Sequence, residues 1–171
     1  MSDLIFDNGE FARQQKTLHG ELALADLPRV AGEVLAGGPV QFALAGGSDH
    51  YKRLTLDLSL KGHFELSCRR CLKPMPFELD VASRFTLFAD EARMDEAEAD
   101  DEDLEGLLFE RAFDPMNLVE DEILLSLPFA PAHDSCESDA AAAPDAGSTP
   151  QKPNPFAVLA ELKGKLKRGE Q

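Results

Sequence analysis

Residues 54–87 read LTLDLSLKGHFELSCRRCLKPMPFELDVASRFTL, and the predicted sheet is built around them. Before residue 68 the large apolar residues fall on even positions, whereas after residue 76 they fall on odd positions. Apolar residues at every second position are typical of a strand with one buried face, because successive side chains point to opposite faces. Two such strands around a short turn predict a long antiparallel hairpin, with Gly62 as a place for a bend or a bulge.

Shorter patterns on both sides of the hairpin predict further strands and helices. Apolar alternation or a short apolar run indicates three more strands, at 17–24, 40–44 and 107–109. An aspartate at the N-cap position indicates the start of three helices, at Asp7, Asp26 and Asp114. The second helix is expected to end at Gly37 and the third at Pro128, with residues 120–122 on its outer face. These patterns predict an α+β fold, in which an antiparallel sheet built around the long central hairpin is packed by helices on one face.

Three segments depart from this regular pattern and define the predicted domain organisation. Residues 90–105 contain ten acids and one Arg without apolar periodicity, which predicts a mobile, disordered acidic loop inside a single domain at 1–130. Residues 131–151 are rich in Ala, Pro, Ser and Asp, which predicts a flexible linker. Residues 152–171 carry a net charge of +3 and an apolar ridge that begins after Asn154-Pro155, which predicts a basic, linker-tethered C-terminal helix.

The overall charge favours basic partners. The 171 residues carry a formal net charge of −15, and residues 90–105 supply −9 of it. Phosphate repels a chain of this charge, so binding to bare nucleic acid would require a local basic patch. The chain also has one Tyr and no Trp, so it lacks most of the polar aromatic residues on which bases stack. We therefore expect a basic protein partner before RNA.

The sequence predicts a cytoplasmic protein that does not enter a membrane. The N-terminal residues do not form a charged-then-apolar signal, and no apolar run approaches the roughly 20 residues that span a bilayer. In the cytoplasm the three cysteines would remain reduced thiols, so a disulfide framework is not expected.

Two cysteine-containing pairs together have the composition of a zinc site. Cys68-x-x-Cys71 lies in the predicted hairpin turn, and His133-x-x-Cys136 follows the third helix, so the four residues offer a Cys3His set for structural zinc. The 61 residues between the pairs exceed the roughly 12 to 20 of familiar zinc motifs. The alternative is that the first two are small turn residues and the last is an exposed thiol. A redox Cys-x-x-Cys is disfavoured, because Pro74 prevents the helix that such motifs begin.

Basic residues are concentrated in two places that could contact RNA or a partner. Arg69, Arg70 and Lys73 lie on the hairpin turn, where they form a solvated tip, a phosphate contact or a contact for the acidic loop. The remaining candidate contacts lie near the C-terminus: Lys163, Lys165, Lys167 and Arg168.

Catalysis is not indicated by the sequence. We find neither a nucleophile with its base and orienting group nor the glycine spacing of a phosphate-binding loop. His19, His50 and His63 are isolated and are interpreted as surface residues. The sequence therefore predicts no enzyme and no small-molecule substrate.

Three segments resemble one family. They are CRRCLKP at 68–74, VEDEILLSLP at 119–128 running into PAHDS at 131–135, and QKPNPFAVL at 151–159. Together they resemble the YceD family, the large ribosomal RNA subunit accumulation proteins of bacteria. The resemblance implies a non-enzymatic ribosome biogenesis factor for the synthesis, processing or stability of large-subunit (23S) rRNA. It places the Cys-x-x-Cys of the family at Cys68 and Cys71, and its later segment at His133 and Cys136.

The resemblance leaves the direct partner open. The acidic composition favours a basic ribosomal or assembly protein. The alternative is a direct RNA-binding module that uses the Cys-x-x-Cys turn and the basic C-terminal residues.

Overall fold

The computed structural model describes residues 4–136, which fold around one mixed sheet. The described helices are α1 (Asn8–Arg13), α2 (Pro28–Ala31), α3 (Glu91–Asp100) and α4 (Pro115–Ser126), and a 3-10 turn covers Leu24–Asp26. The strands are β1 (Thr17–Leu22), β2 (Ala36–Gly37), β3 (Val40–Ser48), β4 (Leu54–Ser67), β5 (Pro74–Phe88) and β6 (Glu105–Leu108). None of the helices in this part of the chain has the length and apolar composition needed to cross a bilayer.

The predicted central hairpin is confirmed. Strands β4 and β5 pair antiparallel from Thr55 opposite Thr86 to Ser67 opposite Pro74. Gly62 lies opposite Leu79 in an unbroken register, so the hairpin has no bulge there. The even positions of β4 are buried or half-buried and form the core face, as the alternation predicts.

One strand runs against the predicted pattern of the sheet. The order is β1-β3-β4-β5-β6 with β2 paired to β4, and every pair is antiparallel except β5 and β6, which are parallel. Helix α3 allows β6 to run parallel to β5, because its ten residues carry the chain back by about 15 Å before β6 begins. The sheet is therefore mixed, although the α+β class and the central hairpin are as expected.

Helix α3 also corrects the prediction that residues 90–105 are an irregular loop. Asp90 caps the helix by accepting the N–H of Arg93 at 3.0 Å. Ala, Glu and Met favour helices, and Met94 lies directly over Gly106 of β6, where any Cβ would collide with it. These contributions outweigh the repulsion between neighbouring carboxylates, which amounts to a few tenths of a kcal/mol per pair.

Helices α1 and α4 pack on one face of the sheet, as predicted, whereas α3 covers Gly106 of β6, which points away from that face like its partner Thr86. Phe11 of α1 and Ile123 of α4 lie in the same hydrophobic cluster as Leu56 and Leu60 of β4. The opposite face carries exposed side chains such as Lys61 and His63. The large hydrophobic cluster of the described residues therefore lies on the face that carries α1 and α4.

Three details of the helices differ from the predictions. The N-cap of α2 is Leu27 instead of Asp26, because Asp26 ends the preceding 3-10 turn. Helix α2 ends at Ala31 instead of Gly37, because Ala36–Gly37 form strand β2 against β4. Glu120 is buried, with 5% of its surface exposed, although it is predicted on the outer face of α4. Its carboxylate accepts the N–H of Arg29 at 2.8 Å. Glu120 thereby accepts a backbone N–H that has no partner within the first turn of α2. The N-cap residue Leu27 cannot accept it, because its side chain has no acceptor.

Candidate metal centre

The turn between β4 and β5 brings two cysteines together. The N–H of Cys68 donates to the carbonyl of Lys73 at 3.0 Å, and the N–H of Leu72 donates to the carbonyl of Cys68 at 2.9 Å. Leu72 adopts a left-handed backbone conformation with φ 59°, which is costly for a residue with a side chain. The closed turn places the sulfurs of Cys68 and Cys71 within 4.8 Å of each other.

Residues 131–136, which we call the strap, lie against this turn. The carbonyl of Pro131, a buried residue, accepts the N–H of Arg69 at 2.8 Å. Nε2 of His133 donates to the carbonyl of Pro74 at 3.1 Å. The folded part of the chain therefore continues at least to Cys136, past the predicted boundary at 130. The rest of the predicted linker and the predicted helix at 152–171 lie outside the described residues.

The strap completes a cluster of four potential ligands. The sulfurs of Cys68, Cys71 and Cys136 and a ring nitrogen of His133 all lie within 4.8 Å of one another. The Cys71 Sγ to His133 Nδ1 distance is 3.5 Å. Typical zinc bond lengths in a tetrahedron place sulfur and nitrogen about 3.6 Å apart and two sulfurs about 3.8 Å apart. The set fits a tetrahedral ion, so the four residues could hold a metal.

The hydrogen bond from His133 selects which of its nitrogens is the ligand. Because Nε2 carries the proton donated to Pro74, Nδ1 keeps a free lone pair and faces the three sulfurs. Ligand histidines in metalloproteins are commonly held by this kind of second hydrogen bond. The orientation of His133 is therefore suited to metal binding before any ion arrives.

The local electrostatics favour at least one thiolate. The backbone N–H of Cys71 lowers the pKa of Cys68 to about 5, against the opposing effect of burial and with help from the N–H groups of His133 and Arg70. Burial raises the pKa of Cys136, and so do its hydrogen bond to Cys68 and the negative charge there. A bound cation would favour release of the remaining thiol protons, since the thiolate is the form that binds metals.

One side of the cluster opens to solvent. Cys68 is fully buried, whereas Cys71, His133 and Cys136 are half-buried and line a cavity of about 530 Å³. A small reagent can therefore reach the cluster from this side.

The basic residues of the turn are placed differently from one another. Arg69, Arg70 and Lys73 are all exposed. Arg70 turns toward the cluster, where Nη1 donates to the sulfur of Cys136 at 3.9 Å. Arg69 instead lines a groove of about 700 Å³ with apolar residues that include Leu127 and Phe129. The candidates Lys163, Lys165, Lys167 and Arg168 lie outside the described residues.

Sequence reasoning missed the groups that orient the ligands and form the groove. The carbonyls of Pro74 and Pro131 hold the strap, and no sequence signal marks a backbone carbonyl as a hydrogen-bond acceptor. The groove had a detectable signal in Phe129, which is fully exposed. It follows the apolar stripe of α4 directly, where a large apolar residue has no core to enter.

Two comparisons with known proteins point to the same family. Residues 56–163 match the family described as large ribosomal RNA subunit accumulation protein YceD. A protein of that description from Haemophilus influenzae is 32% identical over 154 residues, which cover 85% of this chain and 87% of the relative. No solved structure matches the chain. Because the family match covers more than half of the chain and the relative covers most of it, the chain belongs to the YceD family.

Proposed function

We propose that this chain is a non-enzymatic cytoplasmic factor that supports the accumulation of large-subunit (23S) ribosomal RNA by binding a basic ribosomal or assembly protein. The names of the family and of the Haemophilus influenzae relative support the link to large-subunit rRNA. The choice of a protein as direct partner depends on the charge of the folded part of the chain.

That charge is the observation that carries the proposal. Residues 4–136 contain 26 acids and 12 Lys or Arg, a net charge of −14. Several of the basic residues are neutralised by neighbours, as in the pairs Arg53–Asp49 at 2.6 Å and Arg84–Asp57 at 2.5 Å. A surface with this balance repels phosphate and attracts basic proteins at long range.

The hairpin tip supports a second candidate function, direct binding of RNA, but this support is weaker than the support that the charge gives to a protein partner. Arg69, Arg70 and Lys73 are close in sequence and exposed. However, Arg70 is directed to the Cys136 sulfur, which reduces the set that faces outward. A few cations on a domain of charge −14 would bind phosphate against the field of the whole domain.

The arrangement around Cys71 and His133 supports a structural role over a catalytic one. A cysteine near a histidine can form a nucleophile and base pair. Here three sulfurs converge on the same nitrogen, and the other nitrogen of His133 is bound to a backbone carbonyl instead of an orienting side chain. This geometry resembles a ligand set more than a catalytic pair.

We infer that the metal is structural zinc held by Cys68, Cys71, His133 and Cys136. Zinc suits this donor set, because it prefers tetrahedral sulfur and nitrogen ligands. When bound, the ion would supply bonds that join the strap to the hairpin turn. The residues of the chain supply the rest: the Pro74 carbonyl orients His133, and backbone N–H groups hold the Cys68 thiolate.

Binding measurements with separated ribosomal components test the proposed partner. The tagged full chain would be mixed either with the total protein of purified large subunits or with purified 23S rRNA, at about 50 mM and about 200 mM salt. We expect capture of basic proteins that weakens at the higher salt concentration, and no capture of the RNA.

A pair of double variants distinguishes the two candidate functions. Arg69→Gln with Lys73→Gln neutralises the tip while leaving Arg70 on Cys136, and Arg13→Gln with Lys16→Gln is the control with the same change of charge. We expect neither variant to reduce protein capture. Tight capture of RNA by the parent chain that only the tip variant loses would overturn the proposal in favour of direct RNA binding.

A further inference from the structure

We propose that the Cys3His cluster is a peroxide-responsive metal centre, in which oxidation of Cys136 and Cys68 to a disulfide reversibly expels the metal. This inference rests on the zinc site proposed above and adds a regulation of that site. It is independent of which ribosomal component the chain binds.

The first support is the access of solvent to the cluster. The susceptibility of a cysteine thiolate to oxidation increases with its exposure to solvent. Here three of the four potential ligands, Cys71, His133 and Cys136, are half-buried and line the cavity of about 530 Å³. A molecule as small as hydrogen peroxide can enter a cavity of this size and reach a ligand sulfur.

The second support is the difference between two of the sulfurs. Cys68 is fully buried, and it is not among the residues that line the cavity. Cys136 lines the cavity, where Nη1 of Arg70 lies 3.9 Å from its sulfur. Of these two sulfurs, Cys136 is therefore the one that peroxide meets first.

The reaction balances with hydrogen peroxide as the oxidant. The Cys136 thiolate attacks one peroxide oxygen, the O–O bond breaks, and a sulfenic acid forms as hydroxide leaves. The Cys68 thiolate then attacks the Cys136 sulfur, the S–S bond forms, and a second hydroxide leaves. Two protons from solvent convert the hydroxides to water, and the two electrons lost by the sulfurs reduce the peroxide.

The cluster geometry allows this disulfide without unfolding. The two sulfurs lie within 4.8 Å of each other, and side-chain rotation can bring them to the roughly 2 Å of an S–S bond. The disulfide removes two of the four ligands, so Cys71 and His133 remain as a weak pair and the ion leaves. The strap stays attached to the turn, now by a covalent bond.

Titration of the zinc-loaded full chain with hydrogen peroxide tests the proposal. Released zinc is followed with a chromogenic chelator, and disulfides are located by peptide mapping without reduction. We expect one zinc released for each Cys68–Cys136 disulfide, and recovery of zinc binding after treatment with a thiol reductant. Retention of zinc at peroxide concentrations that fully oxidise free glutathione would overturn the proposal, as would release accompanied by sulfinic acid and no disulfide.

Two matched variants assign the attacked sulfur. Cys136→His and Cys71→His each leave a Cys2His2 set, but only the first removes the sulfur that peroxide is expected to attack. We expect Cys71→His to release zinc at about the parent rate and Cys136→His to release it at least about ten-fold more slowly. Equal rates for the two variants would overturn the assignment. If a variant fails to bind zinc, the peptide map of the parent chain decides.

The zinc content before peroxide is added separates the two proposals. A purified chain that neither contains nor takes up zinc contradicts the zinc site itself. A chain that holds one zinc and keeps it under peroxide contradicts only the inference drawn here.

Discussion

At the residue scale, the cluster depends on groups outside the four ligands. His133 reaches the sulfurs through Nδ1 because Nε2 is bound to the Pro74 carbonyl. Proline at this position has no N–H but retains its carbonyl, so it can begin β5 and still orient the histidine. The four ligand residues could be named from the sequence, whereas this second contact required the structure.

Replacement of His133 tests whether it is a ligand. We expect His133→Ala to lower zinc affinity by more than about 100-fold, because even the loss of an outer contact to a ligand typically costs 10- to 100-fold. Zinc content and competition with a chelator of known affinity provide the measurement. His63→Ala, at an exposed position on β4, is the control. Equal affinities for the two variants would remove His133 from the site.

Glu105 gives a pH dependence of stability. Burial raises its pKa above the ordinary value of about 4.5, and the nearby charge of Glu122 adds to the effect. The folded protein therefore binds this proton more tightly than the unfolded chain does. The contribution of Glu105 to stability is fully present below about pH 4.5 and is lost as the pH rises through the folded pKa.

The variant Glu105→Gln should remove this dependence. At about pH 7.5 we expect a higher free energy of unfolding than in the parent chain, and the difference should shrink toward pH 4. Urea unfolding at several pH values is the measurement, with Glu110→Gln at a nearby exposed position as the control. A difference that is constant across the pH range would contradict the assignment.

At the element scale, periodicity predicted the elements that bury an apolar face. It missed helix α3, which has no buried face. The hairpin of β4 and β5 has long alternating runs, so its strands and turn followed from the sequence. Helix α3 has no buried residues and depends on its Asp90 cap and the position of Met94 over β6. The composition of α3 resembled that of a disordered segment. Without this helix, the sequence did not indicate that β6 runs parallel to β5.

The packing of α1 on the sheet depends on a close approach at Gly46. A Cβ at this position would lie 2.6 Å from the Cα of Ala12 and 2.7 Å from the carbonyl oxygen of Phe11, both backbone atoms of α1. We expect Gly46→Ala to lower the free energy of unfolding by about 1–3 kcal/mol, as measured with urea. Gly32→Ala is the control, because its Cβ would meet its nearest atom at 3.5 Å. Equal effects of the two variants would contradict this account of α1.

At the scale of the whole molecule, the sequence identified both pairs of candidate metal ligands, but it did not show that the two pairs lie together. The Cys71 and His133 positions are 62 apart, and only the fold of α4 back toward the hairpin tip closes that distance. The sequence placed the strap in a predicted linker at 131–151, because a short segment that contains Pro and Ser has no apolar pattern. In the structure the strap lies against the hairpin turn. Its attachment comes from hydrogen bonds and the cluster.

Removal of the metal should therefore loosen the strap without unfolding the domain. We expect a chelator under reducing conditions to increase hydrogen exchange in the turn at 68–73 and in the strap. Strand β4 should remain protected, because its core residues Leu56, Leu60 and Phe64 pack independently of the cluster. Hydrogen exchange measured by mass spectrometry, with zinc added back as the control, checks this result. Loss of protection throughout β4 would mean that the metal holds the whole fold.

The sequence separation within the centre has a consequence for protein synthesis. The two cysteines of the hairpin turn leave the ribosome early, whereas His133 and Cys136 follow after 62 or more further residues have been translated. A nascent chain can therefore present only half of a coordination sphere until α4 and the strap have emerged. Capture of the proposed zinc ion would then be a late event, and a nascent polypeptide that holds the ion would already have completed its folded domain.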